Sequence, residues 1–478
     1  MRNFVIVFFM TNLLLSTYFL DLWNSPNPAS RALTVLSFSE GQTLRIDAYA
    51  DLVEDKSQVG EHFYSDKAPL PTLMVIPFHE ALALLGLEKA GAGALDRFPI
   101  YVWRPIGVED GRKIVFRRIV PILWLGSFLC GSLPYALIVT LAFLHLRNRK
   151  TPLSPVVVAM LAFYGSFLFV FSGTFFNHLL SGLFLLCGYI SLKESRFAPA
   201  GFFTGLSFLS EYTIGIAFPL WAILVGVKSG KRGALRFLAG AFPCFVFILL
   251  YNYALTGNPF TMLNAYHTAY GGELGQHYGF HLPSPEALWR LLVGGATGIL
   301  VFAPVLCLGA VRLVKACSRP PYAAAIVTDY LAIFGFAFFV AIASFFTWWG
   351  GWSYGPRYLI PLAVLLMYET VGTAADAPFG KTPFLLFTGY GLVCSWVAKA
   401  TLVYLIPSQF LHGKQTANTF FQMLLPEFME RRYNANNLLS LIFGMPPLAG
   451  AVLWIAAFAL STYALSRWYH ALSRKHPV

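Results

Sequence analysis

Charge is what this chain has least of. Only 12% of its 478 residues are Asp, Glu, Lys or Arg, against about 25% in an ordinary soluble domain. A surface so poor in charge excludes a freely water-soluble globular protein. Cysteine is also sparse, at six residues, and none stands in a CxxC or Cys/His metal spacing. Cys130, Cys187, Cys244, Cys307 and Cys394 lie in apolar runs and Cys317 in a short basic stretch, which excludes a zinc framework or a disulfide scaffold. Walker A and H-E-x-x-H patterns are missing, so ATP-driven transport by this chain alone and the H-E-x-x-H zinc hydrolases are set aside. There is no internal repeat and no low-complexity tract. The net charge of +12 comes in short clusters without a basic, aromatic-interleaved groove, which speaks against nucleic acid as a partner.

What the chain has in abundance is apolar surface: 57% hydrophobic and 17% aromatic residues. Its apolar runs exceed the roughly 18 residues that mark a membrane span. Runs such as 156–162 and 291–305 do not alternate as a transmembrane β-strand requires. The fold class expected is an all-α polytopic membrane protein in the lipid bilayer. Spans are expected at 4–22, 119–146, 154–173, 177–192, 197–213, 214–228, 236–255, 290–313, 323–347, 357–373, 382–405 and 447–466, about twelve in all. The first run lacks a small-residue cleavage site and reads as an uncleaved span. With both termini cytoplasmic, the clusters Arg147–Lys150, Lys193–Arg196, Lys228–Arg236, Arg312–Arg319 and Lys381, together with Arg467, Arg474 and Lys475, all fall inside. The outer face then receives 24–118, 256–289, 346–357 and 406–446. Residues 70–87 are expected as a juxtamembrane helix in the interface. The division expected is a module over 1–373, including outer loop 24–118, followed by a C-terminal membrane region over 374–478 with outer loop 406–446.

Against this background residues 41–73 stand out, because Asp47, Asp51, Glu54, Asp55, Asp66, Arg45, Lys56 and Lys67 crowd into one short polar run. Asp47 and Asp51 have i, i+4 spacing, and an outward-facing carboxylate suits a general base; the plainer reading is a solvated loop acid or helix cap. Lys67, with prolines flanking Leu70 just beyond it, suits a lipid phosphate held at headgroup depth; the alternative is a snorkelling lysine. Arg357 closes the run 348–358, WWGGWSYGPRY, with Trp352 and Tyr354 beside it. Its guanidinium suits bidentate phosphate binding, while the tryptophans alone would fit an aromatic belt. Asn177 and His178 open one span and Glu211 interrupts another; intramembrane ionisable groups are functional candidates, although His178 also fits a satisfied core histidine. His267 lies in the tyrosine-rich loop 258–285, which suits sugar stacking. No group has the spacing of a metal site.

The order of these elements resembles the GT-C superfamily of membrane glycosyltransferases. The branch most similar holds the protein O-mannosyltransferases and the lipid A aminoarabinose transferase. Asp47-Ala-Tyr-Ala resembles that branch's Asp-Glu-x-x-Tyr-Ala loop, and Asp66-Lys67-Ala68-Pro69-Leu70-Pro71 its Glu-Lys-Pro-Pro-Leu-Pro turn. FFNH at 175–178, LSEY at 209–212, LPSPEALW at 282–289 and GWSYGPRYL at 351–359 look like a bacterial group of that branch. The likeness runs from the first span to about the tenth. One departure is that Ala48 stands where the second acid of the pair belongs, with Asp51 as its nearest substitute.

The resemblance implies transfer of a sugar from a polyprenyl-phosphate donor to a lipid, glycan or protein acceptor at the outer, periplasmic face of a bacterial inner membrane. It implies Asp47 as catalytic base and Lys67 and Arg357 as contacts to the donor phosphate. Asp51, Asp66, His178, Glu211, Tyr354, Trp352 and His267 are further substrate-binding candidates. No cofactor is required by this reading; a divalent metal is compatible with it and not indicated. The competing classes are a lipid-linked glycan flippase or other transporter and a non-catalytic membrane assembly protein.

Overall fold

A computed structural model describes residues 1–19, 25–86, 117–149, 153–275, 277–317, 329–351, 353–374, 381–401, 418–431 and 437–475. The described chain is overwhelmingly helical, and its only sheet is a two-stranded hairpin. Three helices among the described residues are long and apolar enough to cross a membrane: Val120–Leu146, Tyr212–Thr256 and Pro447–Arg474. A fourth span forms if the pair Pro155–Tyr164 and Phe167–Gly173, bent by 69°, is taken as one. The tally of about twelve spans is therefore not reproduced by helix length. A 16-residue helix such as Arg2–Thr17 or His178–Lys193 rises only about 24 Å, short of a hydrocarbon core of about 30 Å.

The breaks have local causes. Gly230, with φ 73° and ψ 176°, divides the run Ala217–Thr256 into two helices, where the basic stretch Lys228–Arg236 was expected to part them. The bend after Tyr164 is held by Ser395, whose hydroxyl donates to the Tyr164 carbonyl at 2.6 Å. The region 290–313, expected as one span, is instead three helices, Pro285–Val293, Ile299–Phe302 and Leu306–Cys317. Glycines 294 and 298 and Pro304 interrupt it, and proline removes the N–H that would continue the ladder.

Helix Phe197–Ser210 packs along both of its sequence neighbours, His178–Lys193 and Ala217–Thr256. A Cβ on Gly201 would stand 1.8 Å from the Phe237 carbonyl oxygen, and one on Gly240 would stand 1.9 Å from that of Ala198. The two backbones touch where each helix offers a small residue, the usual device of packed membrane helices.

The polar run is more ordered than its composition suggests. Pro26 opens helix Pro26–Gly41 with its φ already helical, and Gln42 ends it in the left-handed region at φ 50°. A 3-10 turn, Asp47–Leu52, leads into strands Ser57–Val59 and His62–Tyr64, paired antiparallel through a turn with Gly60 at φ 60°. Helix Pro69–Leu84 follows, again opened by proline; it covers most of the 70–87 stretch where a helix was expected. A separate apolar core docks these pieces onto the bundle: Leu33, Leu36, Ile46 and Val75 meet Ile122, Leu123, Phe175 and Leu180. The charged residues that flank the hairpin, Asp55, Asp66 and Lys67, line a cavity together with residues of the bundle helices.

Candidate functional site

Between the polar run and the bundle lies a cavity of about 630 Å³, within the usual size of a ligand pocket. It gathers three cations, Arg31, Lys67 and Arg357, and four carboxylates, Glu54, Asp55, Asp66 and Glu211. Phe176, Tyr270, Phe345 and Tyr358 supply aromatic wall.

On one side Lys67 Nζ bridges Asp55 Oδ2 at 2.8 Å and Asp66 Oδ2 at 2.7 Å. His267 sits behind them, with Nε2 at 3.9 Å from Asp55 Oδ1 and from Asp66 Oδ2. Its Nδ1 accepts from the backbone N–H groups of Ala269 and Tyr270 at 3.0 and 3.2 Å, so the ring proton belongs on Nε2, facing the two acids. Burial works against the charge on Asp55, but Lys67 and His267 outweigh it and hold the carboxyl well below its ordinary range. Burial also opposes the charge on Lys67, and the paired acids overcome it and raise the ammonium. The hairpin is tied to loop 262–268 by Ser57 Oγ donating to the Leu263 carbonyl at 2.6 Å and by Thr268 N–H donating to that of Lys56 at 3.0 Å.

A buried polar chain also lines the cavity. Arg31, fully buried, donates from Nη1 to Asn27 Oδ1 and from Nη2 to Asn177 Oδ1, the latter at 2.9 Å. The Asn177 amide in turn donates to Glu211 Oε2 and to the Ser210 carbonyl at 2.7 Å. The same Glu211 oxygen holds His178 Nδ1. Among the described residues neither Arg31 nor Arg357 forms an ion pair. Arg357 is half-buried, with Cζ at 4.9 Å from the Phe176 ring centroid and 5.2 Å from that of Tyr358, and its Nε is buried without a hydrogen-bond partner among the described residues.

The glycines before Arg357 make room for it. Gly350, Gly351 and Gly355 have φ of 81°, 69° and 68°, the left-handed region that only glycine enters freely. A Cβ on Gly351 would lie 3.2 Å from Arg357 Nη2.

The structure thus brings together Lys67, Asp66, Arg357, His178, Glu211 and His267. It does not bring Asp47 there. Asp47 is exposed on the 3-10 turn, accepts from Phe63 N–H at 2.6 Å and pairs with His62 Nδ1 at 2.8 Å. Asp51 is exposed on the same turn and also lies off the cavity lining, while Tyr354 is buried edge-on against Phe302 at 4.6 Å rather than lining the cavity. Trp352 lies outside the described residues. His178, which also fitted a core histidine, is buried and yet lines the cavity. Sequence reading passed over Arg31, whose signal was there: it is the lone charged residue in the apolar stretch 26–39. Asp55 was hidden among its acidic neighbours, since only the hairpin's docking distinguishes it from Asp47 and Asp51. Among the described residues no group of three His, Cys, Asp or Glu side chains has the arrangement of a metal site.

No protein-family model matches the sequence, and no curated protein matches it. Among solved structures the chain is similar to ArnT from Cupriavidus metallidurans, at 14% identity in both cases. The crystal structure of that protein bound to undecaprenyl phosphate superposes with a TM-score of 0.47, over 97% of this chain and 77% of the other. Its apo state gives a TM-score of 0.45, over 97% and 76%.

Proposed function

We propose that this chain is a membrane glycosyltransferase that moves a sugar from a polyprenyl-phosphate donor to an acceptor, with the cavity opening on the outer face of a bacterial inner membrane. The observation that carries the reading is Arg357: a guanidinium stacked between two rings, without a carboxylate partner among the described residues, facing a cavity where polar run and apolar bundle meet. A planar fork so placed binds a phosphate bidentately. Arg31, held by Asn27 and Asn177 and without an ion pair among the described residues, adds a second guanidinium to the cavity lining, and Lys67, fixed by Asp55 and Asp66, adds a directed ammonium. These cations stabilise charge on the departing phosphate as the glycosidic bond breaks, and the aromatic wall stacks the sugar. One displacement on the anomeric carbon inverts its configuration.

The aspartate base that the resemblance gives to Asp47 needs a group within hydrogen-bond reach of the acceptor. We place the proton acceptor among the cavity-lining groups instead, because Asp47 stands outside the cavity. The test is release of free polyprenyl phosphate by purified protein in lipid, given a panel of polyprenyl-phosphate sugars and a membrane extract. Turnover by wild type and by Asp47→Ala, with loss in Arg357→Gln, supports the reading. Loss in Asp47→Ala restores that residue as base. No release by wild type from any donor refutes the transferase, and release undiminished in Arg357→Gln refutes the phosphate site.

A further inference from the structure

One buried group of the cavity has no task in the phosphate-binding account. His178 is 2% exposed. Its Nδ1 is committed to Glu211 Oε2, and its Nε2 is buried without a hydrogen-bond partner among the described residues. With Nδ1–H donated to a carboxylate, the neutral ring presents a lone pair at Nε2. The ring lines the same cavity as Arg357 and shares two of its neighbours: it stacks on Phe176 at 5.9 Å and 16°, and meets Tyr358 edge-on at 5.8 Å. Glu211 is fixed in turn by Asn177, which Arg31 anchors. A carboxylate orienting one ring nitrogen while the other has no partner among the described residues is the arrangement of a histidine general base.

We propose that His178, positioned by Glu211, is the proton acceptor for a hydroxyl acceptor substrate; the proposal rests on the transferase reading. In the step, the acceptor oxygen bonds to the anomeric carbon as the bond from that carbon to the phosphate oxygen breaks. The bonding pair leaves with the polyprenyl phosphate, and the hydroxyl proton passes to His178 Nε2. The resulting imidazolium is stabilised by Glu211 and later gives its proton to water. The alternative base, Asp55, is already bonded to Lys67, which weakens its hold on a proton; its part is to fix that ammonium. The charged and titratable groups facing His178 are Glu211, Arg31, Arg357 and Tyr358, and Asp55, Asp66 and Lys67 line the same cavity.

The experiment measures kcat and donor KM against pH for the full-length protein in lipid, with polyprenyl phosphate binding as the check on folding. In wild type, log kcat falls with unit slope on the acid side as one group takes a proton. In His178→Gln, kcat drops on the order of 10²-fold or more, the acid limb disappears, and polyprenyl phosphate binds with unchanged affinity. Imidazole added to His178→Ala restores part of the turnover. Glu211→Gln, whose carbonyl oxygen still accepts from Nδ1, loses less than Glu211→Ala and moves the acid limb. A His178→Gln protein that keeps kcat within about threefold, or keeps the acid limb, overturns the proposal while leaving the transferase standing. So does a wild type with no acid limb, which needs no variant to fold. A wild type without turnover on any donor overturns both.

Discussion

Replacing Arg357 separates charge from geometry at the phosphate site. Hydrogen bonds to a charged group contribute about 1.5–3 kcal/mol each, and about 1.4 kcal/mol is tenfold in affinity. Arg357→Gln keeps much of the side chain's bulk over Phe176 and Tyr358 but removes the charge. It is expected to weaken polyprenyl phosphate binding about 10- to 100-fold, roughly the loss of one charged hydrogen bond. Arg357→Lys keeps the charge and part of the ring contact but loses the planar fork, so it should fall between Gln and wild type. The assay is equilibrium binding of fluorescent polyprenyl phosphate to protein in nanodiscs at two salt concentrations. Salt should weaken wild type less than a surface site, because the guanidinium is half-buried and poorly screened. Binding by Arg357→Gln within threefold of wild type would refute the argument that the guanidinium holds the phosphate. Equal losses in Lys and Gln would show that only the fork matters.

Three further expectations follow from the packing and the charges. Gly201→Ala drives a methyl into the Phe237 carbonyl, so it should cost about 1–3 kcal/mol of overpacking and lower the unfolding temperature of the solubilised protein. Asp47→Ala, outside the cavity lining, should leave turnover within about threefold of wild type, whereas Asp55→Asn, which takes a partner from Lys67, should raise donor KM; steady-state kinetics check both. The Asp55–Lys67 cluster also sets a pH window. The depressed Asp55 carboxyl stabilises the fold above its ordinary value of about 3.9, and that stability is lost as pH falls through the folded value. The raised Lys67 stabilises below about 10.4, and is lost as pH rises through its folded value. The stability lost in Asp55→Asn relative to wild type should therefore be constant between about pH 5 and pH 9, where the pair contributes in full, and a loss that varies with pH there would count against the paired state.

Sequence alone determined the apolar solvent of this protein and the places where charge is concentrated. Scarce charge and long apolar runs leave few folds besides a helical bundle in lipid. A polar run such as 41–73, or a lone Glu211 in an apolar stretch, is legible because burying a charge is costly without a partner. Proline and glycine marked the turn into the helix that starts at Pro69 and the turn before Arg357, since both act through the local backbone, whereas helix Pro26–Gly41 was not anticipated within the outer segment 24–118. What the sequence did not decide was which acids share a space. Asp47, Asp51 and Asp55 lie within nine residues of one another and carry the same charge. Only the docking of the 57–64 hairpin onto loop 262–268 turns Asp55 inward and leaves the other two outside. The contact of Arg31 with Asn177 joins residues 146 apart in the chain, and that of His178 with Glu211 joins residues 33 apart. Such pairings depend on helix packing, which no local pattern encodes, so the tertiary fold alone selected the residues of the site.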